Sequence, residues 1–82
     1  MGKKYHFIGI GGIGMSGLAR IALKQNSVVT GSDVTVNPLI ENLIQKEARV
    51  FIGHDAKYVP SDATVIYSSS VRQENPEYQA AV

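Results

Sequence analysis

Apolar and polar positions fall in short blocks along the chain, and their period switches from block to block. Tyr5-His6-Phe7-Ile8-Gly9-Ile10 is a β-prone apolar run long enough for a strand. The cluster Gly11-Gly12-Ile13-Gly14 follows, and residues 15–25 then read as a helix. Leu18, Ala19, Ile21, Ala22 and Leu23 give that helix an apolar side, with Arg20 and Lys24 four apart on the other. Asn26-Ser27 breaks it, and Val28-Val29-Thr30, β-branched throughout, predicts a second strand ending in Gly31-Ser32-Asp33. Asn37-Pro38 is a helix start, because Asn accepts from orphan amides and Pro at the first helical position loses no bond. Leu39, Ile40, Leu43 and Ile44 recur at helical spacing, with Glu41, Asn42, Gln45 and Lys46 outward. Arg49-Val50-Phe51-Ile52 predicts a third strand, closed by Gly53-His54-Asp55. A connection over residues 56–62 contains Pro60. Ala63-Thr64-Val65-Ile66-Tyr67 predicts a fourth strand ending in Ser68-Ser69-Ser70, and Asn75-Pro76-Glu77 repeats the helix-start signal for a last helix that runs to Val82.

Strands alternating with helices imply βαβ units and a parallel sheet, and right-handed crossovers place the helices on its faces. The expectation is one α/β domain over residues 1–82: a Rossmann-like three-layer fold with a mostly parallel sheet of about four strands. The third connection, residues 53–62, is close to the roughly 10–12 residue minimum for a crossover, so its helix is short or missing.

Composition narrows the function. Eight Lys+Arg against seven Asp+Glu leave a net charge of +1 with no basic block, so nothing argues for nucleic acid or an anionic membrane. There is no cysteine, hence no disulfide or thiolate chemistry. The apolar stretch 7–23 is broken by five glycines, a serine and an arginine, which fits no membrane span. Residues 1–5 carry two lysines and no apolar h-region follows, so no signal peptide is read and a cytoplasmic location is expected.

In an open parallel sheet, ligands bind beyond the carboxyl ends of the strands, near the point where strand order reverses. All four expected strand ends here carry glycine or a small polar group. Gly9, Gly11 and Gly14 have G-x-G-x-x-G spacing after a strand and before a helix. Such glycines let backbone amides approach a ligand with no Cβ in the way, and the amides around Ile13 to Ser16 would meet an anion, best a diphosphate. The alternative is that the glycines serve only a sharp turn and close helix–sheet packing, Gly17 included. Asp33 lies 19 residues past Gly14, where dinucleotide folds place an acid about 20 on for ribose hydroxyls. It could also be a solvated turn residue. His54 could meet a base edge or be passive; Asp55 would cap the short connection; Ser68 and Ser69 could donate to phosphate or sugar, or cap the next helix. His6, read as starting a strand at the opposite edge, is expected to be structural, and Tyr58, Tyr67 and Tyr78 give no stacking pattern. No catalytic set appears: two histidines at unrelated positions make no metal site, no G-x-x-x-x-G-K-[ST] exists, and the serine run has no G-x-S-x-G elbow.

Together these residues resemble one family. His6-Phe7-Ile8-Gly9-Ile10-Gly11-Gly12-Ile13-Gly14-Met15-Ser16-Gly17-Leu18-Ala19 is similar to the opening of the Mur ligases of peptidoglycan synthesis, in the branch that adds L-alanine to UDP-N-acetylmuramate. Gly31-Ser32-Asp33, Phe51-Ile52-Gly53-His54, and Tyr67-Ser68-Ser69 with Asn75-Pro76-Glu77 resemble later motifs of the same N-terminal domain, in order. Ser70 stands where that pattern leads one to expect alanine. The branch that recycles murein tripeptide opens similarly but usually differs around Gly11 to Met15, and ranks second.

The resemblance implies three domains, of which this chain is the first; the central one, with P-loop, ATP and magnesium, and the third, which receives L-alanine, would be partners in cis. It implies that the domain holds UDP-N-acetylmuramate without cofactor or catalytic residue of its own. Gly11, Gly12, Ile13, Gly14 and Met15 would take the diphosphate, Ser32, Asp33 and His54 the nucleoside, and Ser68 and Ser69 would line the pocket. An NAD(P)-binding domain of a dehydrogenase or regulatory subunit is the alternative, although Thr30-Gly31-Ser32 interrupts the apolar run that leads into the acid of such sites. A third reading is a folded domain too open to hold ligand measurably. An exposed sheet edge would offer a route to a homodimer. Replacing Gly11 by Val is expected to abolish binding with little unfolding.

Overall fold

The computed structural model describes residues 3–69 and 71–81. Four parallel strands form one sheet: β1 (Lys4–Ile8), β2 (Val28–Asp33), β3 (Arg49–Ile52) and β4 (Thr64–Tyr67), in the order β3-β2-β1-β4. Helices α1 (Ile13–Lys24), α2 (Pro38–Gln45) and α3 (Pro76–Ala81) and the single 3-10 turn η1 (Ala56–Tyr58) make the connections. The chain steps outward from β1 to β2 to β3, then returns to the far side of β1. Strand order therefore reverses between β1 and β4, where α/β folds place ligands.

α1 and α2 cover one face. Met15, Ala19 and Ala22 are the buried stripe of α1, and Ile40 and Leu43 that of α2. They close on Phe7, Ile10 and Val29 in one core cluster. Burying each large side chain of that cluster contributes about 1.5–3 kcal/mol. Leu18 and Ile21, assigned to the apolar side of α1 by spacing, are instead half exposed. The stripe that meets the sheet is set by residues 15, 19 and 22, which leaves 18 and 21 on its flank.

Two of the strands' carboxyl ends differ from the sequence reading. β1 stops at Ile8, because Gly9 turns the chain at φ 79° and the amides of Gly9 and Ile10 both donate to Ser32 O, at 2.8 and 3.0 Å. β2 runs on through Gly31-Ser32-Asp33, because β1 pairs with it on one side and β3 on the other. Gly31 is required there by packing rather than by its backbone angles: a Cβ would lie 2.6 Å from Ile10 Cδ1 and 2.8 Å from Phe7 O. The connection 53–62 holds only the three-residue η1, capped by Asp55 Oδ1 accepting from Lys57 N at 3.0 Å.

The second face is thinner and polar. α3 and η1 cover it. Phe51 stacks on Tyr58 at 4.3 Å between ring centroids, and Tyr67 meets Tyr78 edge-on at 5.0 Å, so three of the tyrosines hold this layer to the sheet. Beneath it lie His6, Thr30 and Ser32. His6 is fully buried within β1, an interior strand, not at an edge.

Candidate functional site

A cleft of about 330 Å³ opens beyond the carboxyl ends of β1, β2 and β3, lined by Ile8, Gly9, Asp33, Val34, His54, Val71, Arg72 and Asn75. Of the glycine turn, Gly9 belongs to the cleft wall, and residues 11–15 lie outside that lining. Gly12 N donates to Gly9 O at 3.1 Å, and Gly12 then caps α1 with its backbone alone, with no side-chain hydrogen bond. The first amide to find a helical acceptor is Ser16 N, 2.7 Å from Gly12 O. The amides of Ile13, Gly14 and Met15 precede it and belong to the orphan donors of a helix start, where the helix dipole is positive. A Cβ at Gly14 or Gly17 would meet nothing within 4 Å. Close packing against the sheet thus explains neither glycine, and Gly14 leaves the approach to those amides open. Met15 contributes main chain only, since its side chain belongs to the core.

Gly11 has a different task. Its amide donates to Asp33 Oδ2 at 2.8 Å, and its carbonyl accepts from Asn37 Nδ2 at 3.2 Å. A Cβ there would stand 2.7 Å from Asp33 Oδ2, 2.8 Å from Ile40 Cδ1 and 3.0 Å from Asn37 Nδ2. Gly11→Val therefore unseats the loop from β2 and α2; the expectation of lost binding with little unfolding is corrected by this contact. Asp33 is half-buried and buttresses the same junction, its Oδ1 accepting from Val34 N at 2.7 Å.

Ser32 and His54 meet a residue that sequence reasoning noted in a helix start and in a motif of the family resemblance, without giving it a role. Glu77 is fully buried, and four donors converge on its carboxylate. Oε1 takes His6 Nε2 at 2.5 Å and the Ser32 hydroxyl at 2.8 Å; Oε2 takes His54 Nδ1 at 2.7 Å and Asp55 N at 3.3 Å. That is as many hydrogen bonds as a carboxylate comfortably accepts. His6 Nδ1 lies 2.7 Å from Thr30 Oγ1, closing the network under the sheet. Ser32 has no exposed surface, so its hydroxyl addresses Glu77 and His54 rather than the cleft. Asn75 makes this possible: its side chain accepts from Glu77 N at 2.8 Å, setting the first turn of α3 so that Glu77 points inward.

The structure thus gathers Gly9, Asp33 and His54 around one cleft and ties Gly11 to Asp33, while Gly12, Ile13, Gly14 and Met15 do not line it. Ser68 and Ser69 lie past the end of β4, outside the cleft lining, with Ser68 O accepting from Val71 N at 3.1 Å. Ser70 is outside the described residues. Sequence reasoning missed Arg72 and Glu77. The signal for Arg72 was its place after the fourth strand; for Glu77 it was the Asn75-Pro76-Glu77 motif of the resemblance, since local chemistry alone leaves a polar residue after Asn-Pro facing water. Among the described residues no three His, Cys, Asp or Glu side chains group to hold a metal ion, and no helix is long and apolar enough to cross a membrane.

Comparison with known proteins places this geometry. The family model described as "Mur ligase family, catalytic domain" matches residues 4–82. The chain belongs to the Mur ligase family. It is 60% identical over 77 residues to the UDP-N-acetylmuramate–L-alanine ligase of Protochlamydia amoebophila, covering 94% of this chain and 17% of that protein. It is 54% identical over 79 residues to the bifunctional enzyme MurC/Ddl of Chlamydia pneumoniae, covering 96% of this chain and 10% of the other. Among solved structures it superposes on UDP-N-acetylmuramate–alanine ligase MurC from Thermotoga maritima with TM-score 0.89 and 35% identity, over 95% of this chain and 18% of that one. A murein peptide ligase from Psychrobacter arcticus gives TM-score 0.88 at 25% identity, over 95% and 17%. The chain thus spans between 10% and 18% of the length of these four proteins, and its α/β fold is that of the MurC N-terminal domain.

Proposed function

We propose that residues 1–82 form one domain that holds the UDP part of UDP-N-acetylmuramate for a cytoplasmic ligase joining L-alanine to it in peptidoglycan synthesis. The observation that carries this reading is the start of α1, capped by no side chain, which follows the cleft residue Gly9 in the chain. Amides of Ile13, Gly14 and Met15 would donate to the diphosphate, with the helix dipole behind them. Gly11 and Gly12 shape the turn, Asp33 and His54 flank the nucleoside, and Ser32 acts from beneath through His54; Ser68 and Ser69, past the end of β4, would meet only a part of the ligand that extends beyond this cleft. Arg72 reaches the same cleft with no hydrogen bond or ion pair from its guanidinium, and adds a positive charge for the phosphates. The printed names of the relatives point to the same substrate.

The residues here do not fit ATP or Mg2+: the sequence has no G-x-x-x-x-G-K-[ST], and the described residues offer no cation cluster. Carboxyl activation and amide formation would fall to further domains in cis. NAD(P) is disfavoured by Thr30-Gly31-Ser32, which stands where such sites carry an apolar run leading into the acid.

A titration of the 15N-labelled chain with UDP-N-acetylmuramate, UDP and NAD tests the reading. The uridine nucleotides should shift the amides of residues 11–15, Asp33 and His54, and NAD should leave them in place. Tight NAD binding with no response to uridine nucleotides would overturn it.

A further inference from the structure

His54 is the cleft residue whose orientation is fixed from behind. Its side chain is 21% exposed, and Nδ1 is the atom turned inward, 2.7 Å from Glu77 Oε2 and 3.0 Å from Ser32 Oγ. The single proton of the Ser32 hydroxyl goes to Glu77 Oε1, so Ser32 Oγ can only accept from the ring. Glu77 Oε2 also receives the Asp55 amide, which marks it as an acceptor. Both neighbours of Nδ1 therefore present lone pairs, and a lone pair on Nδ1 would face them unpaired. The proton belongs on Nδ1. A neutral imidazole then carries its one free lone pair on Nε2, the ring nitrogen that does not face Glu77 or Ser32, in a residue that lines the cleft.

We propose that Glu77 is a positioning residue that holds His54 as the Nδ1–H tautomer, so that Nε2 accepts a hydrogen bond in the cleft and selects a nucleobase that offers an imide N–H there. Uracil carries such a group. Cytosine has a lone pair at the same ring atom, which would oppose that of Nε2. This inference rests on the nucleotide reading above and adds its base selectivity to it. It also accounts for a buried carboxylate with four donors in so small a domain. His6 and the Asp55 amide hold Glu77 in place, and Glu77 passes that rigidity to the ring in the cleft. A site built around a hydrogen bond rejects an analogue that cannot complete it far more strongly than an apolar pocket does.

The direct test needs no variant. In the chain labelled with 15N-histidine at pH 8, His54 Nδ1 should give a pyrrole-type and Nε2 a pyridine-type nitrogen signal. UDP should bind at least about tenfold more tightly than CDP by calorimetry, and only UDP should move the Nε2 signal. In His54→Ala, with folding checked by the amide spectrum, the two nucleotides should bind within about twofold of each other. Glu77→Gln places an amide NH2 among the four donors, and should mix the two His54 tautomers and lower the UDP preference. If Nε2 carries the proton in the parent chain, or if UDP and CDP bind it equally, the base-selection inference is overturned while nucleotide binding stands. If neither nucleotide binds, both readings fall, whatever the tautomer.

Discussion

Gly14→Ala separates folding from binding at a single methyl group. Gly14 sits in the first turn of α1, and a Cβ there has nothing within 4 Å. The native fold therefore accepts alanine without strain, and the unfolded chain loses freedom. Gly to Ala inside a helix contributes about 0.5–1 kcal/mol, less at the first turn than in the middle. In a domain of this size each 1 kcal/mol moves Tm by about 4–8 °C, so the variant should melt roughly 2–6 °C higher. The same methyl group stands in the turn whose amides would meet the diphosphate. Holding a phosphate back from even one of them removes a charge-assisted hydrogen bond of about 1.5–3 kcal/mol, roughly a ten- to hundredfold loss of UDP affinity. Gly17→Ala is the control, because it too has open space around its Cβ but lies one turn further along α1. It should gain comparable stability and bind UDP as the parent does. Urea unfolding and isothermal titration on the three proteins read both quantities. A Gly14→Ala chain that binds UDP with parental affinity would refute the assignment of the α1 start to phosphate. One that is less stable than the parent would refute the claim of open space.

Gly31→Ala should destabilise the domain by about 1–3 kcal/mol or more in urea, because Phe7 O is backbone and cannot swing away from the added Cβ. Asn37→Ala removes both the cap on Ile40 N and the bond to Gly11 O; a loss of about 0.5–2 kcal/mol is expected, with broadened amide signals for residues 9–12. Arg72→Ala should leave stability within about 0.5 kcal/mol of the parent. It should still weaken UDP binding severalfold, and more so at low salt than at high; parental affinity at low salt would remove Arg72 from the site.

By itself the sequence determined the alternation of elements, the parallel sheet and the glycine turn. Each of these is written in local chemistry: β-branched runs, helical spacing, Asn-Pro starts, and glycines between a strand and a helix. Asp33 and His54 were legible as cleft residues for the same reason, since parallel strands all end on one side. Tertiary structure decided what those residues touch. It carried β2 through Gly31-Ser32-Asp33, because pairing on both sides outweighs the turn propensity of those three residues. It turned Leu18 and Ile21 outward, because only one stripe of α1 can face the sheet. It brought Glu77 to Ser32, His54 and His6, residues 45, 23 and 71 positions away along the chain. No local pattern encodes that meeting, because a buried carboxylate is tolerable only where the fold delivers enough donors to replace water, and those donors come from three separate segments.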